Sequence, residues 1–315
     1  MRFTTPAKLR RAGVVGMNHR NVVCIARNNP RHLYPRVDNK LLTKVMARQA
    51  GLAVPNLIGV VKTQGHVREL KEFLRDDQAF VMKPAKGSGG KGILVITDRD
   101  GEDYIKPSGA IVSHQQVCKH ASSTLSGLFS LGGCTDMAMI EELVDFDPVF
   151  EGFSHEGVPD IRIIVYKGYP VMAMTRLSTR DSDGKANLHQ GAVGLGIDLG
   201  SGRALRAIQH GQLISRHPDT DRDLSTFHVP AWQDFLNLAS RCYEVTELGY
   251  LGADIVLDAR KGPLILELNA RPGLAIQMAN GVGLQTRFAA VEKELAKNRG
   301  PEERARFSCQ EFSLH

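Results

Sequence analysis

A glycine-rich segment with interspersed lysines, VMKPAKGSGGKGILVITD over residues 81–98, offers the first candidate chemistry in the sequence. Glycines leave backbone N–H groups free to approach phosphate oxygens, and lysines add positive charge beside them. Gly87, Gly89 and Gly92 fit the dinucleotide pattern G-x-G-x-x-G, while Lys91 follows a glycine as in nucleoside-triphosphate P-loops. The residue types therefore predict an anion site, with phosphate as the expected ligand.

The residues around this segment exclude both standard phosphate motifs. The dinucleotide motif requires a helix after the glycines, whereas GILVIT is apolar and β-branched like a strand. The P-loop requires G-x-x-x-x-G-K-[ST], but Ala85 stands in place of its first glycine and Gly92 in place of its hydroxyl. Two interpretations stay open: an ordinary hairpin loop and a phosphate-binding hairpin loop. Lys83, Lys86 and Lys91 exceed what a turn needs and favour the second.

A second candidate site is the carboxylate-bearing hairpin ADIVLDARKGPLILELNARPG, residues 253–273. Glu267 and Asn269 are two residues apart on one predicted strand and so share a face. The turn ARKG brings back the strand that carries Asp254, which is expected beside them. Oxygen ligands of this kind suit Mg²⁺, which also takes phosphates and water. The alternative is that these carboxylates simply face solvent, but a glutamate within the apolar run LILEL is costly without a partner, so we predict metal binding.

Short helices, strands and hairpins must position these groups. The predicted helices cover residues 38–51, 66–76, 231–248 and 284–298, and the predicted strands include 21–26, 56–62, 79–84, 92–97 and 137–144. Two hairpins are predicted, over 160–176 with its turn at Lys167-Gly168 and over 253–269. Residues 104–135 predict a helix with a flexible loop. So many hairpins favour antiparallel sheets and an α+β fold.

The bulk composition limits the class of protein. The chain has 315 residues, 42% of them hydrophobic and 23% charged, which is ordinary for a folded domain, and no run of 18 apolar residues predicts a membrane span. Five cysteines without C-x-x-C spacing favour a cytoplasmic location over a disulfide framework. The net charge of +6 suits anionic ligands such as ATP and carboxylates. Because no stacking-aromatic motif of an RNA-binding module is present, nucleic acid is the weaker expectation.

Seven motifs in collinear order over about residues 38–285 resemble the ATP-grasp superfamily, and within it the RimK-like α-L-glutamate ligases. They are DNKLLTKVMARQAGLAVP, VMKP, AKGSGGKG, IEELV, DIR, TRLS…KANLHQGA and ELNARPG. The resemblance implies an α+β ATP-grasp fold, in which two α+β subdomains grip ATP between antiparallel sheets. Within this chain, the resemblance implies a subdomain 38–140, with the glycine-rich lid and an insertion at 104–135, and a subdomain 141–297 with the metal site. The chain departs from the family at the short N-terminal segment 1–37, where ATP-grasp enzymes usually carry a full α/β domain. Residues 298–315 are expected as a charged tail.

The resemblance also implies residues that bind ATP and metal. Lys40 and Lys83 match lysines that touch ATP phosphates, AKGSGGKG matches a mobile phosphate lid, and IEELV matches a hinge that holds adenine by main-chain contacts. The cofactor-binding residues so implied are Lys40, Lys83, Lys86, Gly87, Ser88, Gly89, Gly90, Lys91, Glu141, Glu142, Leu143, Val144, Asp160 and Lys185. Asp254, Glu267 and Asn269 are implied as ligands of Mg²⁺, with Mn²⁺ as the alternative.

Four residues are implied as catalytic: Arg162, Arg176, Asn187 and Arg271. Arg162 matches a position near phosphate or acyl phosphate, and Arg176 and Asn187 match the RimK-type stretch. Arg271 replaces a small residue common in RimK relatives, and its cation is expected to meet a substrate carboxylate.

The chemistry implied by the resemblance is ATP-dependent ligation of a carboxylate to an amine through an acyl phosphate. The expected reaction adds glutamate or a related amino acid to a peptide, a protein or a small amine. Two alternatives stay open: a nucleotide-binding regulatory or partner subunit with little turnover, and a basic factor associated with the ribosome or nucleic acid. A homo-oligomer is also left open.

Overall fold

The structure is a computed structural model that describes residues 4–74, 79–87, 89–157 and 159–314. Contacts between Cα atoms divide the chain into two compact units. The smaller unit comprises Asn39–Val45 and Val54–Asp145. The larger unit comprises the chain up to Asp38, Met46–Ala53 and the chain from Phe146 onward.

The elements are short and follow one another closely. The helices are α1 Pro6–Arg11, α2 Met17–His19, α3 Pro35–Asp38, α4 Lys40–Gln49, α5 Gln64–Arg68, α6 Leu70–Phe73, α7 His114–Leu125, α8 Trp232–Thr246, α9 Ile276–Asn280, α10 Leu284–Glu294 and α11 Pro301–Glu311. The strands are β1 Leu57–Val61, β2 Phe80–Pro84, β3 Leu94–Ile96, β4 Asp98–Asp100, β5 Asp103–Ile105, β6 Ile111–Val112, β7 Ala138–Glu142, β8 Asp160–Tyr166, β9 Tyr169–Leu177, β10 Val193–Ile197, β11 Ala204–Gln209, β12 Gln212–Ile214, β13 Tyr250–Asp258 and β14 Gly262–Asn269.

In the smaller unit, β1, β7, β2 and β3 form an antiparallel sheet in that order, and β4, β5 and β6 form a second. Helix α7 packs against β2 and β7 and begins with a capping box between Ser113 and Gln116. The core between helices and sheet is apolar, with Leu70, Phe80 and Ile140 inaccessible to solvent. Burial of these side chains fixes the register of β2 and β7, the two strands that carry candidate site residues.

In the larger unit, seven antiparallel strands follow the order β12-β11-β10-β9-β8-β13-β14. Strands β8 and β9 are joined at Lys167-Gly168, where both residues have positive φ (49° and 82°), as a tight hairpin turn requires. Helix α8 packs against β8, β9 and β13. Strand β13, between β8 and the edge strand β14, is buried along its whole length, which places its side chains in a fixed environment.

The sequence predicts several of these features correctly. The α+β class with antiparallel sheets is confirmed, as are both long hairpins and the strands on each side of the glycine-rich loop. Either Asp38 or Asn39 can cap helix α4 by its sequence, and the structure uses Asn39, whose Oδ1 accepts the N–H groups of Leu41 and Leu42. No helix among the described residues is long and apolar enough to cross a membrane.

Other local predictions are wrong. Residues 21–26 were expected as a strand but lie in a π-helix, Arg20–Ile25, because a short apolar run does not distinguish helix from strand. The helix expected over 66–76 is two helices, α5 and α6, since Glu69 between them leaves helical geometry (ψ 10°). Residues 75 and 76 lie outside the described residues.

The charged tail contains an ordered helix, α11, which packs against α8 and β9. Pro301 occupies its first turn and the Glu303 carboxylate accepts the Gly300 N–H, which is a helix-start arrangement. Phe307 stacks edge-on against Tyr169 at 5.6 Å between ring centroids. Because the segment is highly charged, its sequence does not reveal the apolar contacts that hold the helix in place.

Candidate functional site

In the smaller unit, two buried lysines share one buried glutamate. The Lys44 and Lys83 ammonium groups lie 2.8 and 2.7 Å from the two carboxylate oxygens of Glu141. Burial alone would raise the pKa of the Glu141 carboxyl, but Lys83 and Lys44 outweigh burial and hold the pKa below its usual range. Lys44 Nζ also donates to the Pro55 carbonyl at 2.5 Å. One buried carboxylate thus holds two ammonium groups in place beside each other in this lysine cluster.

Register explains how the cluster forms. Glu141 lies opposite Val81 on the neighbouring strand, so Lys83, two residues further along, is its diagonal neighbour on the same face. Lys44 comes from helix α4, where it lies one turn after Lys40. Lys44 is not among the predicted site residues, although its four-residue spacing from Lys40 places both lysines on one face of helix α4.

The glycine-rich loop joins β2 to β3 beside this cluster. Lys40 Nζ donates to the Gly87 carbonyl at 2.9 Å, and the Lys40 N–H donates to the Ala85 carbonyl at 2.8 Å. Gly89 and Gly90 have φ of 63° and 74° and are exposed, as is Lys91. The loop is thus held at its start and presents glycine backbone and a lysine to solvent. Ser88, predicted to bind the cofactor, lies outside the described residues.

The loop is anchored by two residues that sequence analysis missed. The Lys86 N–H donates to the Asp136 carboxylate, at 2.9 Å to Oδ2. His120 Nε2 lies 2.9 Å from the Gly92 carbonyl, and its ring stacks on Phe129. His120 lies within the predicted 104–135 insertion and Asp136 directly follows it, so this part of the chain positions the loop.

The predicted adenine residues lie at the end of β7. The Glu141 side chain is taken up by the two lysines, and Glu142 accepts from the Asn56 side chain at 3.0 Å. Because β7 ends at Glu142, Leu143 and Val144 lie beyond the sheet ladder. Their contact with adenine stays a prediction.

In the larger unit, two arginines and two aspartates form a buried network on neighbouring strands. Arg162 Nε donates to Asp254 Oδ1 at 2.7 Å, and Arg176 bridges Asp254 Oδ2, at 2.8 Å, and Asp160. Asp254 lies opposite Arg162, and Asp160 lies opposite Arg176. The sheet register alone thus brings four predicted site residues onto one face.

The two aspartates differ in their pKa directions. Burial raises the pKa of a carboxyl, but at Asp254 the Arg162 and Arg176 guanidinium groups outweigh burial and lower the pKa. At Asp160, burial and the charge of Asp254 outweigh Arg176, so the pKa is raised. The two arginines therefore favour the charged form of Asp254 more than that of Asp160.

The metal prediction fits the donor chemistry of this hairpin. Asp254 lies opposite Glu267, and Gly252 lies opposite Asn269, so the three oxygen-bearing side chains share a face. A carboxylate offers about four lone-pair positions, and Asp254 uses three for arginine N–H groups, which leaves one on Oδ1. Asn269 Oδ1 accepts one bond, from the Arg271 N–H at 2.8 Å.

Two carboxylates and an amide oxygen suit Mg²⁺ when phosphates and water complete the shell. Among the described residues, no group of three His, Cys, Asp or Glu side chains forms a metal cage without such additional ligands.

The remaining predicted residues have partners of their own. Arg271 pairs with Asp38 at 2.7 Å and lies over the Tyr34 ring. Asn187 caps the 3-10 turn Leu188–Gln190 by accepting the His189 N–H at 3.0 Å. Lys185 pairs with Asp183 at 2.8 Å, and both are exposed. The structure does not bring these three into the arginine–aspartate network.

A lysine-flanked glycine hairpin on one antiparallel sheet and a carboxylate hairpin on another place this chain in the ATP-grasp class of proteins. The family model of Sugar-transfer associated ATP-grasp proteins matches residues 19–293, and the chain belongs to this family. The predicted membership of the ATP-grasp superfamily is thereby confirmed, while the finer RimK-like subtype stays a prediction. A search of curated proteins finds no significant match.

Solved structures of several ligases are similar to the chain. The ATP-grasp ligase PsnB complexed with a minimal precursor shares 13% identity, with 86% of this chain and 63% of that chain covered and a TM-score of 0.46. D-alanine–D-alanine ligase from Bacillus anthracis shares 12% identity, with 85% and 71% covered and a TM-score of 0.43. D-cycloserine synthetase DcsG shares 15% identity, with 84% and 73% covered and a TM-score of 0.47. The chain thus spans less than two thirds of the PsnB chain.

Proposed function

We propose that this chain is an ATP-dependent ligase that joins a carboxylate to an amine through an acyl phosphate. The observation that carries the proposal is the buried lysine cluster of an ATP-grasp family member, in which Lys44 and Lys83 both pair with Glu141. A nucleotide phosphate is an anion that the Lys83 ammonium group would bind. The glycine-rich loop, which presents Gly89, Gly90 and backbone N–H groups, is the second support.

In this proposal the smaller unit binds the nucleotide. Lys40, Lys83 and the loop residues 86–91 contact the phosphates, and the main chain of residues 141–144 contacts adenine. A phosphate would pair with the Lys83 ammonium group, and Lys44 would keep Glu141 ionised. The lysine positions are held in advance, so little reorganisation is needed when phosphate arrives.

The larger unit supplies the metal ligands and the fixed cations. Asp254, Glu267 and Asn269 would hold Mg²⁺, whose chemistry is to neutralise phosphate charge; Mn²⁺ is the alternative. Arg162 and Arg176 are held by aspartates in defined orientations, and each is partly accessible (14% side-chain exposure). They would stabilise negative charge that develops on the transferring phosphoryl group or on the tetrahedral intermediate.

The chemistry needs no covalent nucleophile on the protein. A carboxylate oxygen attacks the terminal phosphoryl group, ADP leaves, and the resulting acyl phosphate carries phosphate as its leaving group. An amine then attacks the acyl carbon, loses a proton and expels inorganic phosphate. The finer assignment, in which the amine belongs to glutamate or a related amino acid, rests on the RimK-like resemblance.

The test is ADP release by the purified full chain with ATP, Mg²⁺ and mixtures of carboxylates and amines. Glu267→Gln should lower ADP release on the order of 100-fold, because it removes one charge at the metal site. Glu151→Gln, at an exposed position, is the matched control and should match the wild type. Circular dichroism and thermal unfolding establish that both variants fold.

Three outcomes are informative. Unchanged ADP release in Glu267→Gln would refute the metal assignment. ATP·Mg²⁺ binding by calorimetry, without ADP release from any mixture, would favour the nucleotide-binding partner subunit instead. Loss of ADP release in Glu267→Gln alone supports the ligase.

A further inference from the structure

The larger unit contains an apolar groove of about 630 Å³ whose walls come from two distant parts of the chain. Its apolar lining includes Leu9, Val14, Met17, Leu274, Met278 and Val282. The volume lies in the range of small-molecule sites, about 300–1,000 Å³. Leu9, Met17 and Met278 are 41%, 58% and 49% exposed, so the groove presents large apolar side chains to solvent.

The N-terminal wall of this groove is fixed in place. The Val15 N–H donates to Gln277 Oε1 at 2.8 Å, and Gln277 Nε2 donates to the Val15 carbonyl at 3.0 Å. The Gln285 N–H donates to the Gly13 carbonyl at 3.0 Å. Gln277 is 6% exposed, so these bonds are shielded from water. The short N-terminal segment is thus a structural wall of the groove.

The groove adjoins the candidate catalytic segments. His189, which follows the predicted catalytic Asn187 by two residues, lines it. Gly273 and Leu274, on the loop that follows the metal-site strand β14, also line it. Arg20 donates to the Pro272 carbonyl at 3.4 Å, which ties the N-terminal wall to that loop. A molecule in the groove would therefore lie beside residues assigned to the reaction.

Among the described residues that line the groove, Arg20 is the one lysine or arginine, and no aspartate or glutamate is present. Arg20 lines it and is half-buried, and its hydrogen bonds go to neutral acceptors, the Asn21 side chain and the Pro272 carbonyl. No aspartate or glutamate among the described residues forms an ion pair with Arg20, and none lines the groove. A partly desolvated guanidinium with neutral partners favours an anion, while the rest of the surface favours an apolar body.

We propose that this groove binds the carboxylate substrate of the ligase, and that this substrate is an amphipathic monocarboxylate with its carboxylate at Arg20 and an apolar body along the groove. The identification as substrate rests on the proposed function. A dicarboxylate such as glutamate would bury its second carboxylate against apolar side chains, with no second cation to pair with it. We therefore do not expect glutamate to be the carboxylate substrate that binds in this groove.

The test measures binding without nucleotide, so that it is independent of turnover. The full chain is titrated with octanoate, octanamide and glutamate, and affinity is followed by calorimetry and saturation-transfer NMR. Octanoate should bind about tenfold more tightly than octanamide, because only octanoate pairs with Arg20. Glutamate should not displace octanoate.

Variants locate the binding. Arg20→Gln should weaken octanoate about tenfold, to the affinity of octanamide, and leave octanamide unchanged. Met278→Asp places a carboxylate at an exposed groove position and should abolish octanoate binding without unfolding the chain. Arg48→Gln, an exposed arginine outside the groove lining, is the control and should bind octanoate like the wild type.

The outcomes separate the two proposals. Octanoate binding that is insensitive to Arg20→Gln and Met278→Asp would overturn the groove assignment, whether or not the chain releases ADP. Arg20-dependent binding, in a chain that releases no ADP with any carboxylate and amine, would overturn the ligase proposal and leave the groove as a binding site. Arg20-dependent binding together with ADP release from apolar monocarboxylates supports both.

Discussion

Glu141 holds together a group of charges that would otherwise repel one another. Its two oxygens receive Lys44 and Lys83, and all three side chains are at most 7% exposed. Removing a lysine leaves an ion pair behind, whereas removing the glutamate charge leaves two buried ammonium groups facing each other. These two changes should therefore differ sharply in their effect on stability.

Glu141→Gln should lower the free energy of unfolding by about 3–5 kcal/mol, since it leaves buried charges uncompensated. Lys83→Met should lower the free energy of unfolding by clearly less, because Glu141 keeps Lys44 as its partner. Urea unfolding measures both, with Glu151→Gln as the neutral control. Equal losses in the two variants would show that Glu141 does not organise the cluster.

At the scale of elements, the β2–β3 hairpin loop combines two glycines whose requirements differ. Gly90 and Gly92 both have φ of 74°, a conformation that costs an L-residue energy. A Cβ on Gly90 would meet nothing within 4 Å, whereas a Cβ on Gly92 would lie 2.4 Å from Phe129 Cγ. Gly90 is required only for the left-handed backbone conformation, whereas Gly92 is also required because a side chain there would clash with Phe129.

Gly90→Ala should therefore destabilise the chain by about 1–2 kcal/mol, the cost of left-handed backbone for alanine. Gly92→Ala should lower the free energy of unfolding by about 1–3 kcal/mol more than Gly90→Ala, because the Phe129 ring must move. Thermal unfolding compares the two variants directly. If Gly92→Ala were no worse than Gly90→Ala, the Phe129 contact would not constrain the loop.

For the whole molecule, several of the cations behind the net charge of +6 have acidic partners. Arg36 pairs with Glu247, Lys71 with Glu102, Lys167 with Glu292, Arg216 with Asp221 and Arg304 with Glu244. Paired cations contribute less to a long-range positive field than unpaired ones, which weakens the expectation of a polyanionic partner.

We therefore expect only weak, non-specific binding to nucleic acid, with a Kd no tighter than about 10⁻⁶–10⁻⁴ M at physiological salt. Fluorescence polarisation of a labelled oligonucleotide across a salt series measures it. Tight binding that persists near 0.2 M salt would instead revive the nucleic-acid factor as a function.

Features that depend on neighbouring residues follow from the sequence alone. Helix α4, the turn at Lys167-Gly168 and the strand after the glycine-rich loop are all predicted by local patterns and turn chemistry. The order of the motifs was enough for the ATP-grasp resemblance. These features need no knowledge of distant contacts, which is why they were predictable.

Which charges share a partner depends on the tertiary fold. Lys44 and Lys83 reach Glu141 from elements about 40 to 100 residues apart in the chain, and Arg176 reaches Asp254 across the strand β8. The N-terminal segment becomes a groove wall only through Gln277, which is 262 residues from Val15. Sheet register and long-range packing set these contacts, and they leave no periodic signal in the sequence.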